Sequence, residues 1–399
     1  MGAARGGDAA VMSTLAQTPS RIPVALRDDA PDTGPSVRHL GPNWYAAVMG
    51  TAIVANAGAT LPASAPGLRT GCRVVWALSA LMLLALLAAR TVHWVRHRDQ
   101  ARRHLLEPTV APFFGCLAMA LLAVGGGTLA VGKDVLGTPA AVAVDAVLWC
   151  VGTLVGLATA TGIPYLMVVR HRITPGSASP VWLLPLVAPM VSAALGPALV
   201  PHLPPGQAQE AMLLSCYALF GMSLLMTVIV LPLVVSRLFH HGPLPLALTP
   251  TLFLVLGPLG QSTTAVHNLA DAAPGVVPPP AAHAMAAFAM LYGVPVMGFA
   301  LLWLALALAL VVRAVRHGMG FAMTWWGFTF PVGTCVTGAA GLARQTSLAA
   351  FGWLAVALYA CLVTAVAVAG TRTARGLLNG TLLAPPPQPA APARHPAAA

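Results

Sequence analysis

The chain of 399 residues is 58% hydrophobic and only 8% charged, against about a quarter charged in ordinary soluble domains, and its mean hydropathy is +0.80. That balance excludes a soluble globular domain and predicts an all-α membrane protein. The formal net charge of +11 raises the possibility of a nucleic-acid partner, but the positions of the charges exclude it, as described below.

Residues 1–40 hold arginine and aspartate in near balance, with several prolines and glycines and no contiguous apolar run of the kind a signal peptide needs. They read as a disordered cytoplasmic tail. Ten apolar spans follow, at Pro42–Pro62, Val74–Val95, Pro112–Gly132, Asp145–Met167, Pro180–Pro201, Ala211–Val234, Thr249–Ala270, Ala289–Val311, Gly320–Gly341 and Phe351–Gly370. Their connections are short, so residues 41–371 read as one helical membrane domain of sequential hairpins. Residues 372–399 are a second cytoplasmic tail, Ala/Pro-rich and low in complexity from about Leu382 onward.

Glycine and proline are more than twice as frequent in the odd-numbered spans as in the even-numbered ones. Helix breakers within a membrane are tolerated where protein or a water-filled cavity covers them, and small residues let helices approach closely. The odd-numbered spans therefore belong inside and the even-numbered ones form an apolar jacket, a pore-like plan. Tight packing without a pore would use the same residues. Hydroxyl and amide side chains fall on the same inner spans: Thr51 and Asn56, Ser192, Gln261 to Thr264 in the run GPLGQSTT, and Thr334 and Thr337. A lone serine or threonine can instead bond its own helix backbone, but a run as polar as GPLGQSTT faces inward.

All but four of the 21 lysines and arginines fall in the tails or in the last turns of even-numbered spans and the loops that follow them, with a cluster at Arg90, Arg96, Arg98, Arg102 and Arg103. Arg69, Arg73, Lys133 and Arg344 are the exceptions. This positive-inside bias puts both termini in the cytoplasm of a multi-pass inner-membrane protein. The basic balance is a topology signal.

The six cysteines (Cys72, Cys116, Cys150, Cys216, Cys335 and Cys361) contain no CxxC pair and read as small buried apolar residues rather than a disulfide or metal framework. Trp44, Trp94, Trp182, Trp325 and Trp326 lie near span ends, where indole rings favour the headgroup level. Asp145 is the one acid inside a span. An intramembrane carboxylate raises a proton-coupling role, although Asp145 is close enough to the span's outer end to be solvated or to reach Arg73 or Arg344. His267 and Asn268, also near an outer end, read as solvated. No catalytic motif of the HExxH, GxSxG or P-loop kind is present, so neither an enzyme nor a bound cofactor or metal is expected. Cation channels commonly use rings of acids. A neutral lining under a basic cytoplasmic face suits anions.

Three stretches, GPNWYAAVMGTAIVANA (41–57), PTLFLVLGPLGQS (250–262) and WWGFTFPVG (325–333), resemble the tellurite-resistance/dicarboxylate transporter family. That family includes bacterial tellurite-resistance proteins, fungal malate permeases and sulfite efflux pumps, and plant slow anion channels. The resemblance covers roughly residues 41–371. It implies ten transmembrane helices as five hairpins around a central pore, a homotrimer with one pore per protomer, and a small anion as substrate: dicarboxylate, sulfite, tellurite or a monovalent inorganic anion. It also implies a phenylalanine gate, which matches Phe330, and Pro331 is expected to bend the helix and swing that ring toward the axis. The expected lining is Gly50, Thr51, Ser192, Gln261, Ser262, Thr263 and Thr337. A proton-coupled carrier using Asp145 and a non-transporting membrane scaffold or sensor are the alternatives.

Overall fold

The structure is a computed structural model that describes residues 36–62, 65–174 and 176–383, all within one compact unit. Among the described residues the chain is helical, and its only β contact is an isolated bridge between Pro274 and Val277. In chain order the α-helices begin with α1 (Tyr45–Thr60), α2 (Leu68–Arg96), α3 (Arg98–Leu106), α4 (Gly115–Gly127), α5 (Lys133–Leu136) and α6 (Thr138–Val169). They continue with α7 (Leu183–Leu195), α8 (Gln207–His241), α9 (Leu256–Ala272), α10 (Pro279–Arg316), α11 (Phe330–Thr346) and α12 (Ala349–Leu378).

Among the described residues, seven helical segments are long and apolar enough to cross a membrane. They correspond to the second to sixth, eighth and tenth expected spans. The first, seventh and ninth appear as α1, α9 and α11, which have only 16, 17 and 17 residues, short of the roughly 20 that a crossing needs. Each is preceded by a 3₁₀ segment that lengthens it, at Pro42–Trp44, Leu246–Val255 and Met323–Phe328. The third and fifth spans also start in 3₁₀ turns, Ala111–Phe114 and Pro180–Trp182. Pro42, Pro112 and Pro180 stand in these first turns, where a missing N–H costs nothing because the group would have no partner anyway.

The helices α1, α4, α7, α9 and α11 each touch the next, and α11 returns to α1, so the five close a ring. Outside it α2 bridges α1 and α4, α6 bridges α4 and α7, α8 bridges α7 and α9, α10 bridges α9 and α11, and α12 bridges α11 and α1. Burial follows this division. Only 22% to 33% of the apolar window is buried in the five bridging helices, against 83% in Ala111–Leu136 and 89% in Pro180–His202. The bridging helices expose leucine and valine along most of their length, as a lipid-facing surface requires. Glycine permits the ring contacts: a Cβ on Gly115 would lie 2.5 Å from the Leu184 carbonyl oxygen, and one on Gly260 would lie 2.5 Å from the Cys335 amide nitrogen.

Several local expectations change. Cys72, Cys116, Cys216 and Cys335 are buried, but Cys150 and Cys361 are exposed on the bridging helices, since a thiol is apolar enough to face lipid. Trp326 is interior rather than interfacial, its Nε1 donating to Thr373 Oγ1 at 3.0 Å. Most of the two expected tails, 1–35 and 384–399, lies outside the described residues. What is described of them is ordered. Arg90 donates to the Leu40 carbonyl, the Ser36 amide donates to the Leu383 carbonyl at 3.1 Å, and α12 continues past residue 372 to Leu378.

Candidate functional site

A cavity of about 410 Å³ runs along the axis of the ring, and every one of the five helical segments contributes to its wall. On α1 the lining residues are Ile53, Asn56 and Thr60, and on α9 they are Gln261, Thr264 and Asn268. Both sets have i, i+3, i+7 spacing, which places them on one helical face. On α11 the contributors are Phe330, Thr337 and Arg344, two turns apart. The third segment winds as a π-helix over Thr128–Gly132, and Leu129 and Ala130 of that turn both reach the cavity. Such π turns recur at functional sites. This one is held by Trp76, whose Nε1 donates to Thr128 Oγ1 at 2.9 Å.

The cavity reaches the surface at the C-terminal ends of the ring helices, where Lys133, His202 and Arg344 join its wall. No carboxylate among the described residues lines it. Arg344 reaches Asp271 at 3.2 Å, and the neighbouring Asp134 is taken by Arg69 at 2.6 Å and Arg73 at 4.0 Å. Lys133 makes no ion pair among the described residues, so the mouth carries unneutralised positive charge. A low-dielectric cleft focuses the field of such a charge and raises the local concentration of anions.

At the inner end lies Phe330, 2% exposed. Its ring borders both the large cavity and a small void walled by Met49, Met119, Leu183, Val187 and Leu254. Beyond the ring the axis is apolar and nearly closed. Pro331 does not bend α11, as the sequence suggests: it is the second residue of that helix, and the chain breaks instead at Thr329 (φ −95°, ψ −77°) between the 3₁₀ segment and α11. Proline in a first turn starts a helix without removing a hydrogen bond. Phe330 is therefore presented by a helix start and not by a kink.

The hydroxyls and amides of the wall are mostly committed to protein. Thr264 Oγ1 lies 3.0 Å from the Gly260 carbonyl oxygen and 2.7 Å from Thr337 Oγ1, and Thr337 donates to the Thr334 carbonyl at 2.9 Å. Asn56 donates across the ring to the Ala123 carbonyl at 2.9 Å, and Asn268 to the Ala194 carbonyl at 2.8 Å. Gln261 differs: its buried Oε1 has no partner and its amide makes no bond to protein among the described residues. It is the wall's one uncommitted amide.

Of the residues expected to line a pore, Gln261 and Thr337 are on the cavity wall with Phe330, and Gly50, Thr51, Ser192, Ser262 and Thr263 are not. Gly50 faces α11, since a Cβ there would meet Thr329 Oγ1 and Trp326. Thr51 donates to the Ala47 carbonyl at 2.8 Å. Ser192 accepts from Thr153 Oγ1 of α6 at 2.9 Å. Ser262 and Thr263 both bond the Leu259 carbonyl at 3.0 Å, and Thr263 lies toward Gly293 of α10. Asp145 is 2% exposed and pairs with no basic residue among the described residues. Its carboxyl packs against α4, where a Cβ on Gly125 would lie 2.7 Å from Oδ1, and Oδ2 has no partner. His267 is likewise buried rather than solvated, its Nδ1 2.6 Å from the Thr263 carbonyl oxygen. Asn56, already marked by its inner span, lines the cavity too, and Asn268, read as solvated, is on its wall; Thr60, Lys133 and Arg344 were not expected there. Their signal was the i, i+3, i+7 register with Gln261 and Ile53, and the two basic residues out of place in the charge pattern.

Residues 39–374 match the family model described as SLAC1, voltage-dependent anion channel. The chain is 26% identical over 301 residues to the uncharacterized transporter MJ0576 of Methanocaldococcus jannaschii, covering 75% of this chain and 82% of that protein. It is also 26% identical over 316 residues to the sulfite efflux pump SSU1 of Trichophyton rubrum, covering 78% and 83% of the two chains. With SSU1 of Arthroderma otae it shares 26% over 322 residues, or 79% and 85%. Matched over most of its length, this multi-pass membrane protein belongs to the SLAC1 voltage-dependent anion channel family.

Proposed function

We propose that the protein moves a small anion across the membrane through the axis of the five-helix ring, with the ten helical segments crossing as five hairpins and Phe330 acting as the gate. One observation carries this reading: an axial cavity with no carboxylate among its described lining residues, bearing Lys133 and Arg344 at its open end and bordered by the Phe330 ring at its inner end. Positive charge at the mouth attracts anions, and Gln261 supplies a donor where they must shed water. The positive-inside pattern orients the arginine-rich segments toward the cytoplasm, so the open end faces outward and the apolar stretch beyond Phe330 faces the cytoplasm. The sulfite pumps among the relatives make sulfite the first anion to try.

A proton-coupled carrier is the second reading, favoured by the buried, partly unpartnered carboxyl of Asp145. It sits beside Gly125, one residue from the lining residue Gly126, behind the wall rather than on it. Liposomes carrying the purified chain, tested with chloride, nitrate, sulfite, malate and succinate, separate these possibilities. A channel passes one or more of these down its gradient without proton uptake. Fluxes equal to those of protein-free liposomes for all five anions would leave the scaffold or sensor reading in place and end the transport one.

A further inference from the structure

A second cavity, of about 270 Å³, lies off the axis where α6 and α8 end and the seventh span begins, and it shares no lining residue with the first. Its polar wall is made by Arg172, Ser177 and Ser179 of the α6–α7 connection, Thr109 after α3, and Arg237 of the last turns of α8. Trp182, Val181, Leu244 and Leu248 complete it with apolar surface.

The electrostatics of this cavity are one-sided. Two guanidinium groups line it, no carboxylate does, and neither arginine belongs to an ion pair among the described residues. Glu107 is close by but outside the wall, where it accepts from Thr109 Oγ1 at 2.9 Å. Arg237 donates through Nη1 to the Gly242 carbonyl. That bond fixes the plane of its guanidinium while leaving most of its five N–H groups for another acceptor. Ser179 Oγ is shielded from solvent and has no partner, a cost that an acceptor arriving in the cavity would remove. Gly176, at φ +84°, comes so close to α8 that a Cβ there would be 2.7 Å from the His241 ring.

One guanidinium fixed in plane, a second on the same wall and a spare hydroxyl match the tetrahedral oxygens of a phosphate, which arginine binds bidentately. We infer that this cavity binds a phosphate-bearing anion between Arg172, Arg237 and Ser179. The group can come from free phosphate or from the headgroup of an anionic phospholipid. The apolar wall beside the arginines accommodates a glycerol backbone, and basic pockets between membrane helices hold such headgroups.

The test uses the full chain in two arms. Inorganic phosphate is titrated into detergent-purified protein by calorimetry, and phosphatidylglycerol is compared with phosphatidylcholine by native mass spectrometry of the lipid-exchanged protein. Saturable binding of phosphate, or selective retention of phosphatidylglycerol, is expected in at least one arm, and which arm responds identifies the source. Arg172→Gln, at an exposed position that bonds no other element, is expected to weaken that binding about tenfold, the scale of one charge-assisted hydrogen bond, and Ser179→Ala to weaken it less. Arg237 is left intact in the primary variant because it also ties the end of α8. No saturable binding in either arm, or binding that Arg172→Gln leaves unchanged, overturns the inference.

Discussion

Thr264 Oγ1 of α9 lies 2.7 Å from Thr337 Oγ1 of α11, directly on the wall of the axial cavity. Both hydroxyls also lie within 3.0 Å of carbonyl oxygens of their own helices; with the Thr337 proton given to Thr334, the Thr264 proton is the one that links the two ring helices. They are fasteners that happen to face the path. Thr337→Val keeps the shape and removes the link, and is expected to cost about 1 kcal/mol of stability while changing anion flux less than twofold. Thermal unfolding and liposome flux on the same preparation check both halves.

Gln261 should behave in the opposite way. Its Oε1 is buried without a partner, so Gln261→Leu removes an unsatisfied group and leaves stability within about 1 kcal/mol. Flux is expected to fall about tenfold, because the one uncommitted amide no longer compensates an anion's lost hydration at the narrow part of the path. Flux equal to wild type would show that the anion does not pass this residue.

Asp145 divides the channel from the carrier. It packs on α4 behind the cavity wall, and Asp145→Asn preserves its shape. The channel reading expects unchanged flux with an unchanged dependence on pH. Loss of proton-linked uptake in this variant, measured with a pH-sensitive dye inside the liposomes, would establish the carrier instead.

The end of α2 and the helix α3 form a histidine cluster with its own pH dependence. The His104 ring stacks on His93 with centroids 5.5 Å apart. Burial, and then the nearby Arg90, His93 and His39, push the His104 imidazole down to about 4 from its usual 6.5. A depressed value in the folded state means that the neutral form is the one the fold favours. The stabilisation is therefore complete above about pH 6.5 and is lost as the pH falls toward 4. The melting temperature of the wild type should decline across that window, and His104→Gln should flatten the decline. An unchanged slope in the variant would assign the acid sensitivity elsewhere.

Much of this was legible in the sequence, and the gaps have physical reasons. The concentration of Gly and Pro in alternate spans marked α1, α4, α7, α9 and α11 as inner helices because close contacts such as Gly115 on Leu184 admit no Cβ. Which side of each inner helix faces the axis was harder to read. Composition is nearly uniform around a helix buried on all sides, so Ser262 and Thr263 looked equivalent to Gln261 although they point to other neighbours. The phase was carried by the i, i+3, i+7 register of Ile53, Asn56 and Thr60 and of Gln261, Thr264 and Asn268. The bend assigned to Pro331 failed because proline means different things at a helix start and in a helix middle, and the break at Thr329 decides which applies. Lys133 and Arg344 stood out only as exceptions to the charge rule, and it is the fold that places both at one cavity mouth.

The most direct measurement is sulfite and chloride flux into liposomes for the wild type and for Phe330→Ala. The ring borders both the cavity and the apolar void beyond it, so removing it joins the two. The account predicts a rise of about tenfold, equivalent to lowering a barrier by about 1.4 kcal/mol, in a variant whose elution profile and helical content match the wild type. Equal or lower flux in such a folded variant would contradict Phe330 as the gate and the axial cavity as the path.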